Sequence, residues 1–249
     1  MKFALLAFTV AAAAFAQDQI VPPTVDGFEI LGGQEAQFGK HRYVVGLKES
    51  PNGTTVCGGS LIAPNVVLTA AHCLRGKLRS AVVGTHYLTG FDDGELAKVA
   101  QEIKHPNRNV DVGVALLNRN ILNIQPVAVS FEFVEADVLT WVRGWGFVKK
   151  DGPQSYVLKE LSLRTWNNTR AAAALFPDQL TDEMLGAGGV KGEDSCNHDS
   201  GGPMTIEENG TVRLVGVTSW GIECGALDMP GIYARVSAAR DFIERFLEN

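Results

Sequence analysis

The chain has 249 residues, 45% of them hydrophobic and 20% charged, a globular balance that excludes a disordered or low-complexity protein. Its formal charge of -6 argues against nucleic acid or an anionic membrane surface as the main partner. The four cysteines include no C-x-x-C pair, so no metal site is expected, and no motif implies an organic cofactor.

The chain opens on Lys2 and an apolar stretch over residues 3–16 that ends Ala14-Phe15-Ala16. The stretch is too short to span a bilayer and has small residues where signal peptidase cuts, so residues 1–16 are predicted to be a secretory signal. The mature protein is then expected to be extracellular, soluble and monomeric. In that oxidising compartment the even cysteine count predicts two disulfides among Cys57, Cys73, Cys196 and Cys224. Spacing alone leaves all three connectivities open. Residues 17–29 carry two prolines and no periodicity, and read as a pro-segment.

From Ile30 onward, short apolar runs alternate with turn residues: Tyr43–Leu47, Ser60–Ile62, Val66–Thr69, Ala81–Val83, Val112–Leu117, Val138–Val142, Leu158–Leu163 and Leu214–Ser219. This spacing predicts an all-β antiparallel barrel or sandwich. Thr181–Leu185 is expected to form a short helical turn. At the end, Phe242, Ile243, Phe246 and Leu247 recur at helical spacing behind Ser237, which predicts a C-terminal helix capped by that serine. Asn52, Asn167 and Asn209 head glycosylation sequons in expected loops. Asp92-Asp93-Gly94-Glu95 reads as a solvated acidic turn.

Three patterns carry chemistry. In Thr69-Ala-Ala-His72-Cys73 a histidine follows an apolar strand and can serve as a base. In Asp194-Ser-Cys196-Asn-His198-Asp199-Ser200-Gly-Gly-Pro203 a serine stands before two glycines that let backbone and ligand approach closely, which suits a nucleophile with a base nearby. In Ser219-Trp220-Gly221 an extended segment can pair with a peptide backbone, and Gly221 and Gly231 can leave a pocket mouth open.

Together with Cys57-Gly-Gly-Ser-Leu-Ile and Gly144-Trp-Gly146, these strings follow the order of the trypsin and chymotrypsin family, which the chain resembles from Ile30 to its end. Val83-Gly-Thr-His-Tyr-Leu also looks like the family's secreted oomycete members. The resemblance implies two six-stranded antiparallel β-barrels over residues 30–249, and a serine endopeptidase acting through an acyl-enzyme. His72 resembles the general base, Ser200 the nucleophile, and the N–H groups of His198 and Ser200 the oxyanion hole. Asp194 resembles the carboxylate that selects substrate Lys or Arg, beside a substrate-binding wall of Ser219, Trp220, Gly221 and Gly231. The resemblance pairs Cys57 with Cys73 and Cys196 with Cys224. It also implies activation by cleavage before Ile30, whose new amino group pairs with Asp199.

The pattern departs from the family at three places. The aspartate that orients the base is Asp111 if the acidic residue sets the alignment. If the Val-Ala-Leu-Leu string sets it, the slot falls on Gly113 and the triad has a hole. His198 stands where the family carries Gly. Glu29 precedes Ile30 where Arg or Lys is usual, so self-activation is not expected. Two functions therefore remain open at this point. One is an endopeptidase that cleaves protein or peptide substrates after Lys or Arg. The other is an inactive homologue that binds a partner, as oomycete members of this kind inhibit host endoglucanases. Expected partners are accordingly substrates, a host glycosidase or a protease inhibitor.

Overall fold

The computed structural model describes residues 32–149 and 152–247, so the expected signal, pro-segment and Ile30 lie outside the described residues. The first lobe contains β2 (Val44–Lys48), β3 (Cys57–Ala63), β4 (Val66–Thr69), β5 (Ser80–Val83), β6 (Glu95–Lys104) and β7 (Gly113–Leu117), preceded by the short β1 (Gln34–Glu35). Strands β2 to β7 close into an antiparallel barrel in the order β2-β3-β4-β7-β6-β5. The strands that read as continuous β-branched and leucine runs, β2 to β5, are buried along their whole length. Strand β6 is charged and half exposed, because one of its faces meets water.

The second lobe contains β8 (Ala128–Val129), β9 (Leu139–Gly144), β10 (Lys159–Arg164), α1 (Asn168–Leu175), β11 (Met184–Gly188), β12 (Pro203–Glu208), β13 (Thr211–Trp220) and β14 (Pro230–Arg235). They form a curled sheet in the order β1-β10-β9-β12-β13-β14-β11, with β8 parallel to β13. Strands β9 to β14 come round almost into a second barrel. At the seam, β10 and β11 meet through one bridge, Thr165 to Ala187, and a bond from Trp166 N–H to the Gly186 carbonyl at 2.8 Å. The chain ends in α2 (Arg240–Ile243), flanked by 3₁₀ turns over Val236–Ala239 and Glu244–Phe246.

Local sequence differs from expectation at three points. Met184 and Leu185 belong to β11 rather than to a helical turn, because their backbone pairs with Ala234 and Tyr233 of β14. Ser237 lies inside the first 3₁₀ turn and does not cap the C-terminal helix, which has no side-chain cap. Helix α1 was not expected; Asn167 caps it by accepting the Arg170 N–H at 2.7 Å.

One apolar cluster spans both lobes, from Val45, Leu68 and Val114 of the first barrel to Trp145, Leu214, Val236 and Ile243 of the second lobe. A separate cluster around Val142, Leu163, Met204 and Tyr233 fills the second lobe itself. Polar groups reinforce the junction. Trp145 Nε1 donates to the His86 carbonyl at 3.0 Å. The buried Arg143 guanidinium donates to Tyr43 Oη and Glu160 Oε2. Removing apolar surface from water here holds the lobes in fixed register, so a cleft between them has rigid walls.

Candidate active site

His72 sits in the 3₁₀ turn Ala71–Cys73 that ends β4, and the disulfide between Cys57 and Cys73 ties this turn to the start of β3. The second expected disulfide, Cys196 to Cys224, also forms, and no free cysteine remains. Asp111 precedes β7 and reaches His72 twice. His72 Nδ1–H donates to Asp111 Oδ2 at 2.7 Å, and the His72 backbone N–H donates to Oδ1 at 2.9 Å. A third donor, Ser219 Oγ, reaches Oδ2 at 2.6 Å. Burial pushes the Asp111 carboxyl up, but the bonds and charge of His72 and the Ser219 bond outweigh it and leave the group below its ordinary value.

Of the two alignments of the acidic residue, the carboxylate that meets His72 in the structure is that of Asp111. Gly113 pairs with Thr69 and Lys104 at the end of the barrel ladder, and a Cβ there would meet Leu74 and the Ile103 carbonyl.

Ser219 has a role that its motif alone did not reveal. The register of β13 against β14 shifts between Thr218 and Trp220, so Ser219 sits at a bulge that re-aims its side chain onto Asp111. Trp220 and Gly221 go on to line the neighbouring cavity.

Ser200 belongs to the turn before β12. Its carbonyl accepts the Gly58 N–H at 2.8 Å, which docks the turn onto β3 of the other lobe. His72 and Ser200 line one cavity of about 300 Å³, with no hydrogen bond joining their side chains. Such a contact commonly tightens only when ligand is bound. The turn is held by Asp199 N–H to the Cys196 carbonyl at 3.0 Å, and Gly202 N–H to the Asp199 carbonyl at 2.9 Å. Neither the His198 nor the Ser200 N–H is used in these bonds. His198 has φ of +75°, which accounts for glycine as the usual residue of this turn.

On the other side of Ser200 is a second cavity, of about 210 Å³, lined by Asp194, Ser200, Ser219, Trp220, Gly221 and Cys224 among others. Asp194 is 2% exposed. Its Oδ2 accepts the Gly225 N–H at 3.1 Å, while Oδ1 has no partner. Gly231 lies against that oxygen, where a Cβ would come within 2.8 Å. Burial pushes the Asp194 carboxyl up to about 7; the Gly225 and Ser195 backbone oppose this, and the Asp199 charge adds to it. An unpartnered carboxylate at the floor of a narrow cavity calls for a cation.

Asp199 is equally buried. It accepts Gly146 N–H at 2.7 Å and Cys196 N–H at 2.9 Å, and burial raises it to about 6. Ile30 lies outside the described residues, so the expected pairing of the two has no structural counterpart here. The sequon residues Asn52, Asn167 and Asn209 are all exposed; Asn209 is in the β12–β13 turn and Asn167 caps α1. Asp93 of the acidic turn is occupied by Thr85 Oγ1 at 2.8 Å and the His86 N–H at 2.5 Å. Among the described residues no helix is long and apolar enough to cross a membrane.

A closed six-stranded barrel beside a curled partner, with an Asp–His pair and a glycine-flanked serine at their junction, defines the fold class of the two-barrel serine proteases. The trypsin family profile matches residues 30–243, and the chain belongs to that family. Among its relatives, glucanase inhibitor protein 3 of Phytophthora infestans is 40% identical over 228 residues, covering 86% of each chain. Glucanase inhibitor protein 3 of Phytophthora sojae is 35% identical over 238 residues, covering 88% of this chain and 89% of the relative. Glucanase inhibitor protein 2 of P. infestans is 35% identical over 227 residues, covering 86% and 87%.

Proposed function

We propose that this chain is a secreted serine endopeptidase that cleaves peptide bonds after Lys or Arg. The observation that carries this reading is the hydrogen bond that His72 donates to Asp111, with His72 lining the cavity that also holds Ser200. In the proposed reaction the substrate cation enters the Asp194 cavity, and Ser200 Oγ attacks the scissile carbonyl as His72 takes its proton. Asp111 keeps the His72 tautomer and stabilises the imidazolium. The N–H groups of His198 and Ser200 hold the oxyanion, each contributing about 2.7–4 kcal/mol in the transition state. The amine leaves with the proton from His72, and water then releases the acyl group. Activation by cleavage before Ile30 frees an amino group for Asp199, and Glu29 requires an activating protease of different preference.

The second reading is a binding protein that inhibits a secreted glucanase, with a glycosidase as its partner. The relatives favour it over the first, because all three are named as glucanase inhibitors. Two assays on protein beginning at a free Ile30 separate the readings. The first follows hydrolysis of an Arg ester and an Arg amide by the wild type and Ser200→Ala. The second follows glucanase activity titrated with each protein. Turnover that is lost in Ser200→Ala supports the endopeptidase. Equal glucanase inhibition by both proteins, with no turnover, supports the inhibitor and removes the first reading.

A further inference from the structure

Ser200 separates two cavities. The Asp194 cavity lies on one side, and the cavity lined by Val56, His72 and His198 lies on the other. A ligand with its cation at Asp194 and its carbonyl at Ser200 has this second cavity open to its leaving group, because of the two further cavities that His72 lines only this one also includes Ser200. At about 300 Å³ this space is at the small end for a ligand site.

His198 forms part of its wall. With φ of +75° the residue holds a left-handed conformation that L side chains adopt at a cost, though histidine is among those that tolerate it best. The ring is fixed on two flanks. It lies against Phe147, with centroids 4.9 Å apart and planes tilted by 46°. Phe147 in turn donates its N–H to the Asn197 carbonyl at 2.9 Å. On the other flank the ring faces the Val56 backbone, on the cavity rim just ahead of β3. An extended chain leaving Ser200 would seek backbone partners along that same rim.

We propose that His198 determines specificity by confining the chain beyond the scissile bond. The site then turns over Lys and Arg acyl donors with small leaving groups faster than polypeptides that continue past the bond. This rests on the endopeptidase reading above and narrows its substrate class. The chemistry is unchanged: Ser200 Oγ forms the ester bond, the bond to the alcohol or amine breaks, and the leaving group departs with the proton held by His72.

The test compares wild type, His198→Ala and His198→Gly on an N-acylated Arg methyl ester and on a peptide with three residues beyond its Arg. The quantity read is the ratio of kcat/KM for the peptide to kcat/KM for the ester. Alanine removes the ring and keeps the strained backbone, while glycine also relieves the strain. The proposal predicts that the ratio rises about tenfold or more in both variants. A ratio unchanged in His198→Ala overturns it. So does a gain confined to His198→Gly and equal on both substrates, which would assign the effect to the backbone turn. Absence of ester turnover in all three proteins defeats the endopeptidase reading, and this proposal with it.

Discussion

Replacing Asp111 by Asn probes the site with one atom changed. The carboxylate accepts three hydrogen bonds: His72 N–H at 2.9 Å, His72 Nδ1–H at 2.7 Å and Ser219 Oγ at 2.6 Å. An amide keeps one oxygen acceptor and presents an NH₂ group that cannot accept the Nδ1–H. The imidazole then switches tautomer, so that Nδ1 accepts from the amide and Nε2 carries the proton towards Ser200. A ring in that state is not a base for the serine. The loss should approach 10⁴-fold in kcat, or about 5.5 kcal/mol in barrier height. KM for an Arg substrate should change little, because Asp111 is no part of the wall around Asp194. The assay is steady-state hydrolysis of an Arg anilide, with active sites counted by burst titration. The same substitution should lower stability at neutral pH. Because the folded carboxyl titrates below its ordinary value, that difference should vanish as pH falls below about 3.8. A kcat loss below tenfold would refute the reasoning, since the imidazole would then be oriented by something other than Asp111.

Other perturbations test neighbouring parts of the account. Asp194→Ser should abolish the preference for Arg over an apolar residue, reducing it by about 10⁴-fold or more in kcat/KM, read with matched anilides. A small cationic inhibitor should bind the ionised Asp194 only, so with the carboxyl raised to about 7 its affinity should be roughly 100-fold weaker at pH 5 than at pH 8 by calorimetry. The same raised value means that this group favours the unliganded fold below about 3.8 and loses that contribution as pH rises through 7; the Tm gain from inhibitor should therefore grow over that interval. Acetylating the Ile30 amino group, or replacing Asp199 by Asn, should each remove most Arg-ester turnover, because each abolishes the ion pair proposed to hold the Ser200 turn. Removing the Cys196–Cys224 bridge with paired serines frees a loop of 28 residues and should cost about 3.6 kcal/mol by chain-entropy arithmetic, read as a drop in the denaturation midpoint.

Much of this molecule is legible in its residues because most of its strands are buried on both faces and read as apolar runs. The runs at Val66–Thr69 and Ala81–Val83 correspond to β4 and β5 almost residue for residue. Strand β6 is not legible as an apolar run, because its charged residues face water on one side. Helix α1 is hard to read because its Ala-rich stretch buries only Ala171 and Leu175, and its cap Asn167 also heads a sequon. In the site, the motifs locate His72, Ser200 and Asp194, yet they leave two positions two residues apart for the orienting carboxylate. Only the register of β7 in the barrel wall separates Asp111 from Gly113. The Ser219 hydroxyl shows the same limit, since a bulge that turns one side chain leaves no mark in a Ser-Trp-Gly string.

The reactivity of the Ser200 hydroxyl is the claim on which the rest depends. The direct measurement is intact-mass analysis after treating protein with a free Ile30 terminus with a fluorophosphonate. The account predicts a single adduct that maps to Ser200 and disappears in His72→Ala. A folded, correctly processed protein that takes up no phosphonate would contradict it.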